Sequence, residues 1–320
     1  MAEQPQVLYG GQAVIEGVMI RGREDAVVAV RTPDGGIAIR PLPRSGWWLP
    51  AWRRFVFLRG IAALAETLGL GMKSLAISAN LAATTPEQEA DAERAEALGN
   101  VAIAVMLALS LGLAIVIFFL VPVFLSRGLE TFGWSAVEAN IGEGLLRVAL
   151  FIGYLTLIGR MEDIRRLYGY HGAEHMAVHA RENGAPLTLE GLRRYPTAHP
   201  RCGTAFLLTV VLLSIVFFMF FPRDPLWLHV VSRLALVPVV ASASYEIIRF
   251  FGRHPANIWV RVLSSPSLLL QDLTTSQPDD GQCEVAIAAI SAAVARDAGE
   301  PFEAAAPKAA NASAGPDDQV

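Results

Sequence analysis

From Val101 to Leu125 the chain carries no charged residue. A helix rises 1.5 Å per residue, and about 20 apolar residues cross the hydrocarbon of a bilayer. Inside lipid every backbone N–H and C=O must be satisfied within the segment, so a run of this length is a helix. Composition points the same way. The chain is 53% hydrophobic and 18% charged, against about 25% charged in soluble domains. The expected fold is mainly α: a polytopic membrane bundle of about four spans, with an amphipathic helix and a small N-terminal β-element.

Three further spans follow, at about Glu143–Ile158, Thr204–Phe221 and Leu226–Ile247. The connection from Arg160 to Arg201 is rich in arginine (Arg160, Arg165, Arg166, Arg181, Arg193, Arg194, Arg201), as is the N-terminal region (Arg53, Arg54, Arg59). The short connections after the first and third spans hold Arg127 and Arg223 alone. The positive-inside rule then puts both termini and the arginine-rich loop in the cytoplasm of a multi-pass protein of the bacterial inner membrane. The lipid bilayer is the expected partner. A net charge of −4 gives no reason to expect nucleic acid. Two cysteines, Cys202 and Cys283, do not make a disulfide framework. The N-terminus lacks the basic and apolar regions of a cleaved signal peptide.

Phe55–Ala82 is apolar but interrupted by Arg59, Glu66 and Lys73. Seven-residue spacing puts these on one face, which predicts an amphipathic helix on the membrane or the bundle, with a fifth span as the alternative. Residues 1–54 form a β-rich cytoplasmic element: Ala26–Val30 and Ile37–Ile39 flank the turn sequence Thr32-Pro33-Asp34-Gly35-Gly36. Before them, GGQAVIEGVMIRG spaces glycines around Glu16; either this is a glycine-rich bend or Glu16 reaches a distant site. Residues 55–98 are the amphipathic helix and a polar connector, and 99–272 the bundle with its loop at 160–202. Residues 273–298 form a C-terminal cytoplasmic segment, with a short helix at Val285–Val294. Residues 299–320 have the composition of a disordered tail.

The loop carries the chemistry. HGAEHMAVH, from His171 to His179, puts three of the six histidines on one helix, and HPRC (His199–Cys202) follows. His171 and His175 stand one turn apart. His171, Glu174 and His175 spell H-x-x-E-H, the inverted zincin pattern, in which two histidines hold a metal and the glutamate activates a water. His199, Cys202 or Glu182 supplies a further ligand. The plainer readings are interfacial histidines stacked on Tyr168 and Tyr170, and a small buried thiol at Cys202. His179 reads as an exposed helix residue rather than a ligand, and His229 and His254 as interfacial. Arg233 and Glu246 are ionisable groups within a span, where such groups face the bundle interior. About 20 Å apart on one helix at 1.5 Å per residue, they cannot meet. Arg147 is a candidate partner for one of them, and Glu246 either snorkels or approaches the metal loop.

Four blocks, GGQAVIEGVMIRG, YGYHGAEHMAVHA, HPRCGTAF and LLLQDLTTSQPDDGQCEVAIAAI, resemble the YqhQ-like bacterial membrane proteins, a family of unknown function labelled as predicted metal-dependent enzymes. The resemblance covers nearly the whole chain except the tail and implies a metal and an enzyme, without a substrate. Its matched positions are Glu16, His171, Glu174, His175, His199 and Cys202. Where family members often have lysine after the second histidine, this chain has Met176.

The expected function is therefore a membrane-bound metal-dependent hydrolase. A divalent metal, zinc by donor type, is held by His171, His175 and one or both of His199 and Cys202. Glu174 is the general base, with Glu16, Glu182 and Glu246 as supporting carboxylates. The substrate is a membrane peptide or a lipid. The alternative is a transporter or scaffold in which a metal only staples the loop.

Overall fold

Strands that are apolar at consecutive positions are buried on both faces, and GVMIR and DAVVAVR are of this kind. In the computed structural model, which describes residues 9–23, 25–43, 55–83, 105–106, 108–254 and 256–300, they are the central strands of an antiparallel meander. Its strands are β1 (Gly10–Val14), β2 (Gly17–Arg21), β3 (Asp25–Arg31) and β4 (Ile37–Pro43), in that order. The turn residues Thr32–Gly36 close the β3–β4 hairpin, with Gly35 at φ +83°.

Ten helices follow among the described residues: α1 (Val56–Ala83), α2 (Ala108–Thr131), α3 (Ala136–Ile158), α4 (Glu162–Glu182), α5 (Leu189–Leu192), α6 (Gly203–Phe218), α7 (Leu226–Ala235), α8 (Val237–Arg253), α9 (Ile258–Gln271) and α10 (Asp280–Asp297). The sheet alternation sorts their packing. Val18, Ile20, Val27 and Ala29 face a core with Tyr170, Ala173 and Ala177 of α4 and Ala286, Ala289 and Ile290 of α10. Val14, Met19, Val28 and Val30 face Leu70 and Leu81 of α1. The sheet is thus the middle of three layers, and the N-terminal element and the C-terminal segment share one core.

Among the described residues, four helices are long and apolar enough to cross a membrane: Leu58–Ala83, α2, α3 and Leu226–Arg253. This set differs from the expected one. α6 has 16 residues and is shorter than a span, and the fourth segment is two helices meeting at Leu236 beside Pro238. The amphipathic reading of 55–82 is answered by an inverted face. Buried Glu66, Ser74 and Ser78 turn toward the sheet, where Arg21 pairs with Glu66, while Leu58, Leu68 and Leu75 are exposed. Lys73 is exposed and does not share the inward position. The expected connector at 84–97, the start of the first span and the tail from 301 lie outside the described residues.

Helix α3 begins before Glu143, at a capping box of Ser135 and Glu138. Glu143 and Arg147 therefore lie inside it. Arg147, Arg223, Arg233 and His229 all reach Glu143, at 2.9, 3.1, 3.0 and 2.8 Å. Arg147 also donates from Nε to the Phe118 carbonyl at 2.8 Å, in the wide π-helical turn Val116–Leu120 of α2. His229, read as interfacial, is fully buried in this cluster. Glu246 pairs with Arg59 of α1 instead of approaching the metal loop.

Candidate metal centre

Helix α4 presents the histidine row, and its glycines let the rest of the site close on it. A Cβ on Gly172 would sit 2.3 Å from the Ser276 carbonyl, and one on Gly169 2.3 Å from Gln282. Only glycine admits the Thr274–Gln282 chain this close. That chain delivers the Thr274 carbonyl to His171 Nδ1 at 2.8 Å. From the other side, the Thr197 carbonyl accepts from His175 Nδ1. Each imidazole therefore carries its proton on Nδ1 and turns the Nε2 lone pair inward. A backbone carbonyl fixing the tautomer in this way is the usual support of a metal-binding histidine.

Cys202 caps the N-terminus of α6. Its sulfur lies 3.2 Å from His171 Nε2, and the donor atoms of His171, His175 and Cys202 all fall within 4.8 Å of one another. Three nitrogen and sulfur donors at this separation suit a zinc-like ion. Glu174 stands beside them, its Oε2 3.5 Å from His175 Nε2. Burial pushes its carboxyl above the usual range, against the opposing pull of His171, His199 and the Gly11 N–H. Burial likewise holds His175 below the ordinary histidine range.

A second triad, His179, Glu182 and His199, meets the same distance limit. Its groups are already satisfied. The Arg201 N–H donates to His199 Nδ1 at 3.2 Å, which leaves the proton on Nε2, facing Glu182 at 3.4 Å. Glu182 in turn pairs with Arg201. His179 donates from Nε2 to the Ala198 carbonyl at 3.0 Å and stacks on Tyr195. The four rings form one row: His171 and His175 are 4.4 Å apart, His175 and His199 5.7 Å, and His199 and His179 4.4 Å.

The structure thus brings His171, His175, Cys202 and Glu174 together and sets His199 in the neighbouring group with Glu182 and His179. Glu16 does not reach the site. Its carboxylate pairs with Arg166 and accepts from Tyr170, on a backbone at φ +51° in the β1–β2 turn. The glycine-rich block approaches through Gly11, whose N–H serves Glu174. Sequence reasoning missed Gln271, whose buried amide grips the His199 backbone at both N–H (2.7 Å) and C=O (3.0 Å). A buried glutamine next to Asp272, after an apolar run, was the available signal.

The family described as "Protein of unknown function (DUF1385)" matches residues 55–296. The chain is 36% identical over 286 residues to "Uncharacterized protein YqhQ" of Bacillus subtilis (strain 168), covering 87% of this chain and 90% of that protein. No solved structure matches it. With the histidine helix, the HPRC turn and the Gln271–Ile290 segment all inside the matched region, the chain belongs to the DUF1385 family.

Proposed function

We propose that the protein is a metal-dependent hydrolase of the bacterial inner membrane, working at the cytoplasmic face with both termini on that side. The observation that carries this reading is the pairing of two carbonyl-locked imidazoles with the Cys202 thiol, beside the buried Glu174 carboxyl. Three protein donors leave one tetrahedral position open, as in catalytic zinc sites, whereas structural sites use four. A zinc ion there would supply Lewis acidity and lower the pKa of a water toward neutrality. His171, His175 and Cys202 would hold it. Glu174, with its carboxyl raised by burial, is the proton acceptor within reach of that position. A substrate presented by the bilayer, a membrane peptide or a lipid, suits a site next to membrane-length helices.

One observation favours the second reading, a metal that staples the loop in a scaffold or transporter: Glu174 is only 3% exposed. The two separate on Glu174→Gln. If Glu174 is a base, the substitution keeps about one metal equivalent and the fold, while overproduction of the wild type, but not of the variant, is expected to change the lipid or peptide profile of cells. As a staple, Glu174→Gln is silent and His175→Ala alone lowers stability. Metal at well under one equivalent in detergent-purified protein would sink both.

A further inference from the structure

The second histidine triad opens into a cavity of about 750 Å³ between the C-terminal end of α8 and α9. Small-molecule and cofactor sites commonly have this size. Its polar end holds His199, Glu182 and Arg201, its other walls are Phe251, Ile258 and Leu268, and Arg261 stands on the rim side of α9. The two guanidiniums and one carboxylate leave one net positive charge. Arg201 is already engaged with Glu182, whereas Arg261 has no ion-pair partner among the described residues.

Helix α9 sets the depth of this cavity. At 14 residues it is too short to cross a bilayer. It exposes Trp259, Leu263 and Leu269 on its outer side, with Ile258 at the edge between that side and the cavity. Tryptophan and apolar residues on one face, with polar and cationic groups on the other, describe a helix lying in the headgroup layer. Arg261, Ser264, Ser265 and Leu268 on its other side line the cavity, so a helix lying at that depth would set the cavity level with the lipid phosphates.

We infer that this cavity is the binding site for an anionic phospholipid of the inner leaflet: its phosphodiester meets Arg261 and the Arg201 end, and its acyl chains lie along Phe251, Ile258 and Leu268. The single negative charge of a phosphodiester balances the single net positive charge of the walls. An extended peptide is disfavoured, because such peptides dock by adding a strand to a sheet edge and no strand lines this cavity. The inference names the substrate class of the proposed hydrolase and rests on that reading only for turnover, since binding is testable without it.

The test uses the full chain purified in detergent, with native mass spectrometry following dioctanoyl phosphatidylglycerol, dioctanoylglycerol, glycerophosphoglycerol and an acidic amphipathic peptide. Metal content is measured on the same samples. The lipid with phosphate is expected to bind at least about tenfold more tightly than the diacylglycerol or the chain-free head group. Arg261→Gln removes that preference at unchanged metal content, and Arg261→Lys restores much of it. Equal binding of lipid and diacylglycerol, or of lipid and head group alone, overturns the proposal. So does peptide binding with the same dependence on Arg261. Lipid selectivity in protein without metal upholds the lipid site and removes the hydrolase, whereas metal without lipid selectivity does the reverse.

Discussion

His171 Nε2 and Cys202 Sγ lie 3.2 Å apart across 31 residues of sequence. Nothing in the helix that carries one or the turn that carries the other would hold them there alone. The Thr274 carbonyl orients His171 toward the sulfur, and the Thr197 carbonyl, from a different segment, orients the neighbouring His175. Cys202→Ser and His171→Ala should each reduce zinc retained after dialysis against a chelator to a small fraction of about one equivalent. Plasma emission spectrometry of detergent-purified protein measures it, and full retention in either variant would remove that residue from the ligand set.

Gly172→Ala probes the support rather than the ligands. The added methyl would meet the Ser276 carbonyl at 2.3 Å, displacing the chain that fixes His171. Overpacking of this kind costs about 1–3 kcal/mol, and loss of such a supporting hydrogen bond weakens metal affinity by about 10–100-fold. Competition titration with a zinc-sensitive dye reads the second effect and thermal unfolding the first.

Acid should release the metal only at low pH. Burial lowers His175 from its ordinary value of 6.5, so in the folded protein a proton competes for its Nε2 lone pair less well than in free histidine. Metal binding is proton-linked, and the midpoint of release on acidification is expected below pH 6.5. A midpoint above 7 would contradict proton competition at a depressed His175 as the step that sets release.

Glu143 holds three guanidiniums. Glu143→Ala leaves them facing one another inside the bundle, and breaking a buried ion pair from one side costs about 3–5 kcal/mol. The partly exposed Arg59–Glu246 pair is worth far less. Thermal unfolding in one detergent should therefore fall steeply for Glu143→Ala and barely for Glu246→Gln.

The orientation is open to labelling. Ser135 and Asp34 are both exposed, and the proposed orientation would put them on opposite sides of the membrane. In intact cells an impermeant maleimide should modify Ser135→Cys and spare Asp34→Cys. Reversed labelling would invert the proposed topology and place the histidine row outside.

The histidine row was legible because a helix converts i, i+4 spacing directly into a shared face, and H-x-x-E-H needs no tertiary knowledge to point one way. The turn at Thr32–Gly36 was legible for the same local reason. What stayed hidden is carried by backbone groups or by distance. The Thr197 and Thr274 carbonyls have no side-chain signature. His179 read as an exposed helix residue because nothing local announces that Ala198 and Tyr195 fold back onto it. Glu143 was taken for the start of a span, since the capping box at Ser135 looks like loop chemistry until α3 is seen running through it. The inward polar face of α1 was unreadable for a related reason: periodicity groups Arg59, Glu66 and Lys73 on one side, but only the sheet, which nothing local announces, separates buried Glu66 from exposed Lys73.

The sheet near the beginning of the chain and the helix from Asp280 share one core. A ribosome delivers every membrane-length helix before it delivers that last partner. Until then one face of the strands is covered by the histidine helix alone. A nascent chain interrupted before the Asp280 helix thus lacks a finished sheet core and the full support of the histidine row, and quality-control proteases would meet it as an incompletely covered sheet.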